Sequence, residues 1–276
     1  MTLAEMAGRR FGPVSIPIAI PSVASFVAAT GDDPERWADF APPSFSAAAL
    51  FAVAPALLSD PGVVAVTRSV IHTEQSLAWY RPLAVGETIE AEGRVVDVRT
   101  RGSLNLVTFE LIADSWLKGT STFLMSAEAA VTSVEEPEPI QDVRADDDRP
   151  LPLPLPVPGE DIPPMARSAS RADLIRYAGA SGDWNPLHWD HDAAVAAGLP
   201  GVVVHGFLMA SWLTQAASRH SPGPHPLVEM RLRFHKPLRP SEQALVTGSA
   251  IDDAALKLAV IADGVTLVSA TARVTR

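Results

Sequence analysis

The chain has 276 residues, 47% of them hydrophobic, a net charge of −10 and a pI near 5.1. That length suits two ordinary domains or one large one with an ample core, and the acidic balance argues against wholesale nucleic-acid binding, which needs a basic face. There is no cysteine, so disulfides, thiolate nucleophiles and Cys-ligated metals are excluded.

The opening MTLAEMAGRRFGPV lacks the apolar core of a secretion signal, and no stretch approaches the roughly eighteen uncharged apolar residues that span a bilayer. A soluble, cytoplasmic protein without membrane insertion is expected. Ser22 to Pro34 predicts a short helix closed by Gly31-Asp32-Asp33-Pro34, and Phe45 to Leu58 an apolar helix. Strands are expected over Val63 to His72, Trp79 to Tyr80, Thr88 to Val98, Leu104 to Asp114 and Ser121 to Thr132. His72, Glu74 and Tyr80 are candidates for a ligand pocket, against the plainer reading of strand residues with solvated side chains.

After Val134 the composition turns to proline and acid. Alternating Leu-Pro disfavours helix and interior strand and favours an extended path. Residues 135–167 are therefore read as a linker between domains at 1–134 and 168–276, with Pro150 to Pro164 crossing along the surface.

In the second half, Ser170 with Asp173 predicts a helix start, and a short helix over Arg171 to Ala180 is stopped by Gly182. Asn185-Pro186 forbids its continuation. Asp183 and His188 thus fall on the turn that follows, five residues apart. A carboxylate and an imidazole so placed can share general acid and base duties near neutral pH, although either residue alone reads equally as a turn or packed residue. Val202 to Val204 then reaches His205-Gly206, where a helix apolar on nearly every side begins and runs to Ser218. Its first turn carries free N–H groups and partial positive charge, and Gly206 offers no side chain to block an approaching oxygen; a glycine needed only for close packing is the alternative. Strands follow over Leu227 to His235, Gln243 to Asp252, Leu256 to Ile261 and Thr266 to Val274. Alternation sends Arg231, Arg233 and His235 to one strand face, with Lys236 and Arg239 beyond. Such a cluster suits phosphates or is simply solvated.

The halves echo each other in order: short helix ending in Gly-Asp, long apolar helix, then Leu77-Ala-Trp-Tyr-Arg-Pro-Leu83 answering Leu232-Arg-Phe-His-Lys-Pro-Leu238, then strands. Two copies of one supersecondary unit are implied, of α+β class with helices segregated against antiparallel sheet. The first copy has Asp32-Asp33-Pro34-Glu35-Arg36 in place of Asp183 through His188, and Pro43-Ser44 in place of His205-Gly206. One active site, in the C-terminal half, is expected.

The stretch Gly182-Asp183-Trp184-Asn185-Pro186-Leu187-His188 with its Gly-led helix resembles the signature of MaoC-like, (R)-specific enoyl-thioester hydratases and dehydratases. The resemblance implies a double hot dog, its two sheets joined edge to edge, with the N-terminal half shaping an acyl pocket. It implies that Asp183 and His188 grip one water, that Gly206 N–H is an oxyanion donor, and that Thr214 lies near that water. Asn185 is expected to orient the turn, and Arg231, Arg233 and Lys236 are candidates for the substrate's phosphates, with solvated strand charges the equal alternative. The expected substrate is a coenzyme A or acyl-carrier-protein thioester, with no separate cofactor, no metal and no nucleic acid; a homodimer and a heteromeric complex both stay open. His188 and His191 are three apart, but the hydratase motif accounts for them without an ion. Two rivals remain: a hot-dog thioesterase, whose acidic residue normally sits on the central helix where Phe207 to Ser218 has none, and a non-enzymatic acyl-thioester-binding subunit.

Overall fold

A helix with no polar face must be enclosed, and the arrangement of this chain follows from two such helices. The computed structural model describes residues 3–127 and 157–276. The first half runs β1 (Arg10–Pro17), α1 (Ile20–Thr30), β2 (Phe40–Ala41), α2 (Ser46–Leu58), α3 (Pro61–Val64), β3 (Ser69–Trp79), β4 (Leu83–Ala84), β5 (Thr88–Arg101), β6 (Leu104–Ala113) and β7 (Leu117–Ser126). The second runs β8 (Met165–Arg167), α4 (Arg171–Ser181), a 3-10 turn (Pro186–His188), α5 (His191–Ala196), α6 (Gly206–Ser218), β9 (Leu227–Phe234), β10 (Ala244–Ala250), β11 (Ala255–Ala262) and β12 (Val265–Val274).

Ten strands form one antiparallel sheet in the order β1-β5-β6-β7-β3-β9-β12-β11-β10-β8, and β2 pairs with β4 apart from it. The order is a palindrome in roles. Each half lays out its sheet strands as first, third-from-last, next, last and then its second strand at the middle, so β3 answers β9. The halves meet there, Glu74 opposite Arg233, Ser76 opposite Arg231 and Ala78 opposite Glu229. This is the edge-to-edge junction expected from the sequence, and it removes an open edge from each half. Leu83 and Leu238, the closing residues of the two echoing strings, are both fully buried.

Helix ends follow local chemistry. Ser170 and Asp173 form a reciprocal capping box at the start of α4. Both α1 and α4 end on a left-handed glycine, Gly31 at φ 65° and Gly182 at φ 81°, a conformation that side chains resist. Each glycine is followed by an aspartate, so the same turn is built twice.

From Phe207 to Ser218 every residue of α6 is buried, against β9, β11 and β12 of its own half. Its polar side chains other than Ser218 are met by protein. Ser211 and Thr214 bond the carbonyls of Phe207 and Ser211. Gln215 donates to Thr30 O at 2.9 Å and accepts from Arg167 at 3.2 Å. At the C-terminal end Arg36 donates to Ser218 O at 2.8 Å and Ser221 O at 2.5 Å, while its guanidinium lies 4.7 Å from the Trp37 ring centre. The degenerate loop of the first half has thus become a clamp on the helix of the second.

Several expectations need correction. A strand from Val63 does not form: Asp60 caps Gly62 and Pro61 starts α3, so a helix start outweighs the β-branched run and the strand begins at Ser69. The opening residues contribute β1, and α5 was not anticipated. The end of the expected linker joins the sheet, β8 pairing with β10 and Asp161 bridging Ser249; residues 135–156 of that linker lie outside the described ones.

If Arg36 closes α6, Arg36→Ala leaves Ser221 O without its donor and Ser218 O with the Ser221 N–H alone, a loss of about 1–3 kcal/mol and several degrees in thermal midpoint. Arg99→Ala, which removes an exposed arginine with 76% of its side chain in solvent, serves as the control and should move the midpoint little. Equal midpoints for the two variants in a thermal melt exclude the clamp.

Candidate active site

The left-handed turn at Gly182 ends α4 and turns the chain so that Asp183 faces inward, only 7% exposed. Its Oδ1 accepts the Asn185 N–H at 3.3 Å, and Asn185 in turn caps the 3-10 turn through Leu187 N–H at 3.3 Å. Asn185 therefore shapes the turn that carries His188. The His188 Nδ1 lies 2.8 Å from Val203 O. A carbonyl only accepts, so Nδ1 carries the hydrogen and Nε2 the lone pair. That Nε2 lies 4.0 Å from Asp183 Oδ2, too far for a direct bond and the right span for one water at about 2.8 Å from each.

Charge in this place is costly. Burial raises the Asp183 carboxyl from its ordinary 3.8 to about 7, only partly opposed by the Asn185 N–H, and lowers His188 from 6.5 to about 4 against the Val203 bond. The pair is therefore no ion pair. Between pH 4 and 7 both groups are neutral; above 7 an aspartate faces a neutral imidazole. Two acceptors 4.0 Å apart can together accept both hydrogens of one water, which leaves its oxygen lone pairs free.

A third histidine completes the cluster. His205 is fully buried, its ring stacked on His188 at 3.8 Å between centres and 27° between planes, and 4.9 Å from Tyr177. Its Nε2 donates to Asp183 O at 3.2 Å. Burial, aided by His188, lowers it to about 2. Donor atoms of Asp183, His188 and His205 lie within 4.8 Å of one another. A metal, however, sits in the plane of each imidazole that binds it, and rings stacked 3.8 Å apart with a 27° tilt share no in-plane point within metal-bond reach of both. The geometry suits proton handling better than an ion.

His205 is also the N-cap of α6, but its side chain makes no capping bond. The N–H groups of Gly206 and Phe207 precede any intrahelical acceptor. Gly206 lies beside Phe234, and a Cβ there would fall 3.2 Å from that ring, so the packing account of this glycine has a definite partner.

The other anticipated residues scatter. Thr214 is buried two turns along α6 and bonded to Ser211 O. Arg231 and Arg233 do share a strand face, but it is the one opposite Met230, Leu232 and Phe234, and Arg233 pairs with Glu74. Lys236 is exposed past the end of β9. The structure thus keeps Arg231 and Arg233 away from Gly206. His72 departs from the solvated reading: its ring lies 4.8 Å from Phe123, 5.3 Å from Phe207 and 4.9 Å from Phe234, and burial lowers it to about 4. Glu74 and Tyr80 are exposed. His205 was missed; the only signal for it was the pair His205-Gly206 at the helix start.

Residues 152–271 match the MaoC-like domain, and residues 5–115 match the FAS1-like dehydratase domain region. The chain thus carries a MaoC-like dehydratase domain and a FAS1-like dehydratase region, and it is a hydro-lyase. The 3-hydroxyacyl-thioester dehydratase X of Mycobacterium tuberculosis is 28% identical over 241 residues, covering 85% of this chain and 78% of its own length. The (R)-specific enoyl-CoA hydratase of Rhodospirillum rubrum is 30% identical over 84 residues, 30% of this chain and 58% of its own. Among solved structures, a MaoC-like dehydratase superposes with a TM-score of 0.79 at 19% identity over 99% of both chains. A Mycobacterium tuberculosis protein solved as a double hot-dog fold gives 0.65 at 12% identity, over 97% of this chain and 96% of its own. The MaoC-like chain is thus an α+β double hot dog. Among the described residues no helix is long and apolar enough to cross a membrane.

The raised Asp183 carboxyl has a stability consequence. The folded state holds its proton more tightly than the unfolded chain, so stability falls as pH rises from about 4 to about 7; below 4 both states are protonated and the penalty vanishes. Asp183→Asn should therefore raise the thermal midpoint at pH 8, on the order of a few kcal/mol, with the advantage shrinking to nothing by pH 4. A pH-independent difference between the two melts contradicts a buried, costly carboxylate.

Proposed function

We propose that this protein catalyses (R)-specific hydration of trans-2-enoyl thioesters and the reverse dehydration of (3R)-hydroxyacyl thioesters. The observation that carries the reading is the pair of acceptors, Asp183 Oδ2 and His188 Nε2, held 4.0 Å apart by a histidine tautomer fixed on Val203, beside an α6 N-terminus that has no side-chain cap. An enoyl thioester is electrophilic at its β-carbon because its carbonyl accepts the displaced electron pair. The water oxygen bonds to that carbon as one proton passes to Asp183 or His188. Negative charge then collects on the thioester oxygen, where the Gly206 N–H and the positive end of α6 stabilise it. Proton return to the α-carbon completes the addition; with water and base on one side, both additions occur on one face. Dehydration is the same path reversed. Since Asp183 ionises near 7, hydration should rise through that pH.

The acyl group is carried on coenzyme A or a carrier protein, and the thioester itself supplies all the chemistry the two residues need, without a separate cofactor. Asn185 holds the turn and Thr214 stands along the same helix as Gly206. Arg231, Arg233 and Lys236 are not assigned to the substrate, given the face they occupy. The aromatic group of His72, Phe123, Phe207 and Phe234, contributed by both halves, lies beside Gly206 and supports a role for the N-terminal half in bounding the acyl chain. Hydrolysis is disfavoured because α6 carries no acidic residue.

The test is hydration of crotonyl-CoA and longer enoyl-CoAs, followed by loss of enoyl absorbance and chiral analysis of the product. Asp183→Ala and His188→Ala should each lower kcat by about 10²–10⁴ while remaining folded. Wild-type turnover in either folded variant, release of free thiol, or an (S) product overturns the reading.

A further inference from the structure

His205 touches each part of the site at once. Its Nε2–H reaches the Asp183 carbonyl at 3.2 Å, its ring lies face to face with His188 at 3.8 Å, and its own carbonyl accepts from Leu208 and Met209 at 3.1 and 3.2 Å to start α6. The segment leading to it is pinned on both sides, Val203 N–H to Leu187 O at 3.1 Å and Val204 N–H to Leu238 O at 2.8 Å. The side chain is fully buried, with an Nδ1 that has no hydrogen-bond partner. An apolar residue of similar size avoids the cost of burying an unpaired acceptor, so a histidine here needs another reason.

We propose that His205 is a positioning residue: its Nε2–H fixes the Asp183 loop and its ring fixes the His188 imidazole, so that both acceptors hold their place relative to the Gly206 N–H. Phenylalanine supplies the ring without the donor, and glutamine the donor without the ring. Both properties together are met by a neutral imidazole, and burial keeps His205 neutral across the working range. The bond to the carbonyl holds Asp183 against its apolar surroundings. The titratable groups around that carboxyl are Tyr177 from α4, His188 from the 3-10 turn and His205 itself; α2, packed on α4, carries none. With no cation among them, the high Asp183 pKa depends on water being kept out, and hence on the loop staying where His205 holds it.

The proposal rests on the hydratase reading for its kinetic part only. Turnover, KM and thermal midpoint are measured for His205→Phe and His205→Gln, and the Asp183 carboxyl is titrated by NMR in protein labelled at aspartate carboxyl carbons, with Asp183→Asn to assign the signal. In His205→Phe, kcat should fall roughly a hundredfold, the scale of a displacement of about 1 Å, with KM nearly unchanged and the Asp183 titration moved from near 7 toward the ordinary carboxylate range. In His205→Gln the titration should stay near 7 with a smaller fall in kcat. A folded His205→Phe with unaltered titration and turnover overturns the proposal, as does a loss of midpoint with turnover per folded molecule preserved. Should His205→Phe not fold, His205→Gln decides: a reduced kcat with Asp183 still titrating near 7 supports it, and full activity refutes it. A wild type inactive on every enoyl-CoA sinks the hydratase reading alone, because the titrations need no substrate and still show whether His205 holds Asp183.

Discussion

Enclosure of α6 is the constraint on which the molecule depends. No face of this helix is left to water, so each polar group along it must find a partner inside the protein. Its C-terminal end finds one in Arg36, delivered by the other half of the chain. Its N-terminal end is treated differently: the cap residue His205 turns its side chain toward Asp183 instead of the helix. The two ends of one buried helix thus differ, one sealed by a cation and the other left without a side-chain cap on its first donors.

The duplicated turn shows how the same backbone serves both ends. Gly31-Asp32 and Gly182-Asp183 follow left-handed glycines at matching places. Burial raises both carboxyls, but at Asp32 it is opposed by the Asp33 N–H, by Trp37 and, less strongly, by the cations Arg36 and Arg167, whereas Asp183 has a single amide N–H. Donors and nearby cations restrain the rise at a buried carboxylate; one among uncharged groups keeps its appetite for a proton near neutral pH. In the first turn, where no histidine stands, Arg36 makes the loop a structural clamp on α6.

What was legible in the sequence was what depends on neighbours in the chain. The capping box at Ser170, the stop at Gly182, the Asn185-Pro186 turn and the apolar length of α6 are local, and each appears where it was read. Alternation correctly put Arg231 and Arg233 on one face, but which face meets the helices is decided by Met230, Leu232 and Phe234 packing inward. The first strand was obscured by Gly12-Pro13, at which its pairing with β5 is interrupted. His72 was misjudged because a bulge shifts the register between His72 and Glu74, so period-two counting fails at that residue. His205 was illegible for a different reason: its role lies in a stack with a residue 17 positions earlier, which no local pattern encodes.

Gly206 illustrates how packing and chemistry converge on one residue. A side chain here meets Phe234, which belongs to the same aromatic group as Phe207 and His72. The absence of a Cβ therefore lets the sheet approach the helix start and leaves the first N–H approachable at the same time. These are not competing explanations, since the aromatic rings that crowd the glycine also exclude water from the place where charge would develop. Low polarity is what makes a single N–H effective there, and it is also what raises Asp183 to the point of being a useful base. In the proposed reaction the same apolar packing that costs the carboxylate its solvation strengthens the donor opposite it.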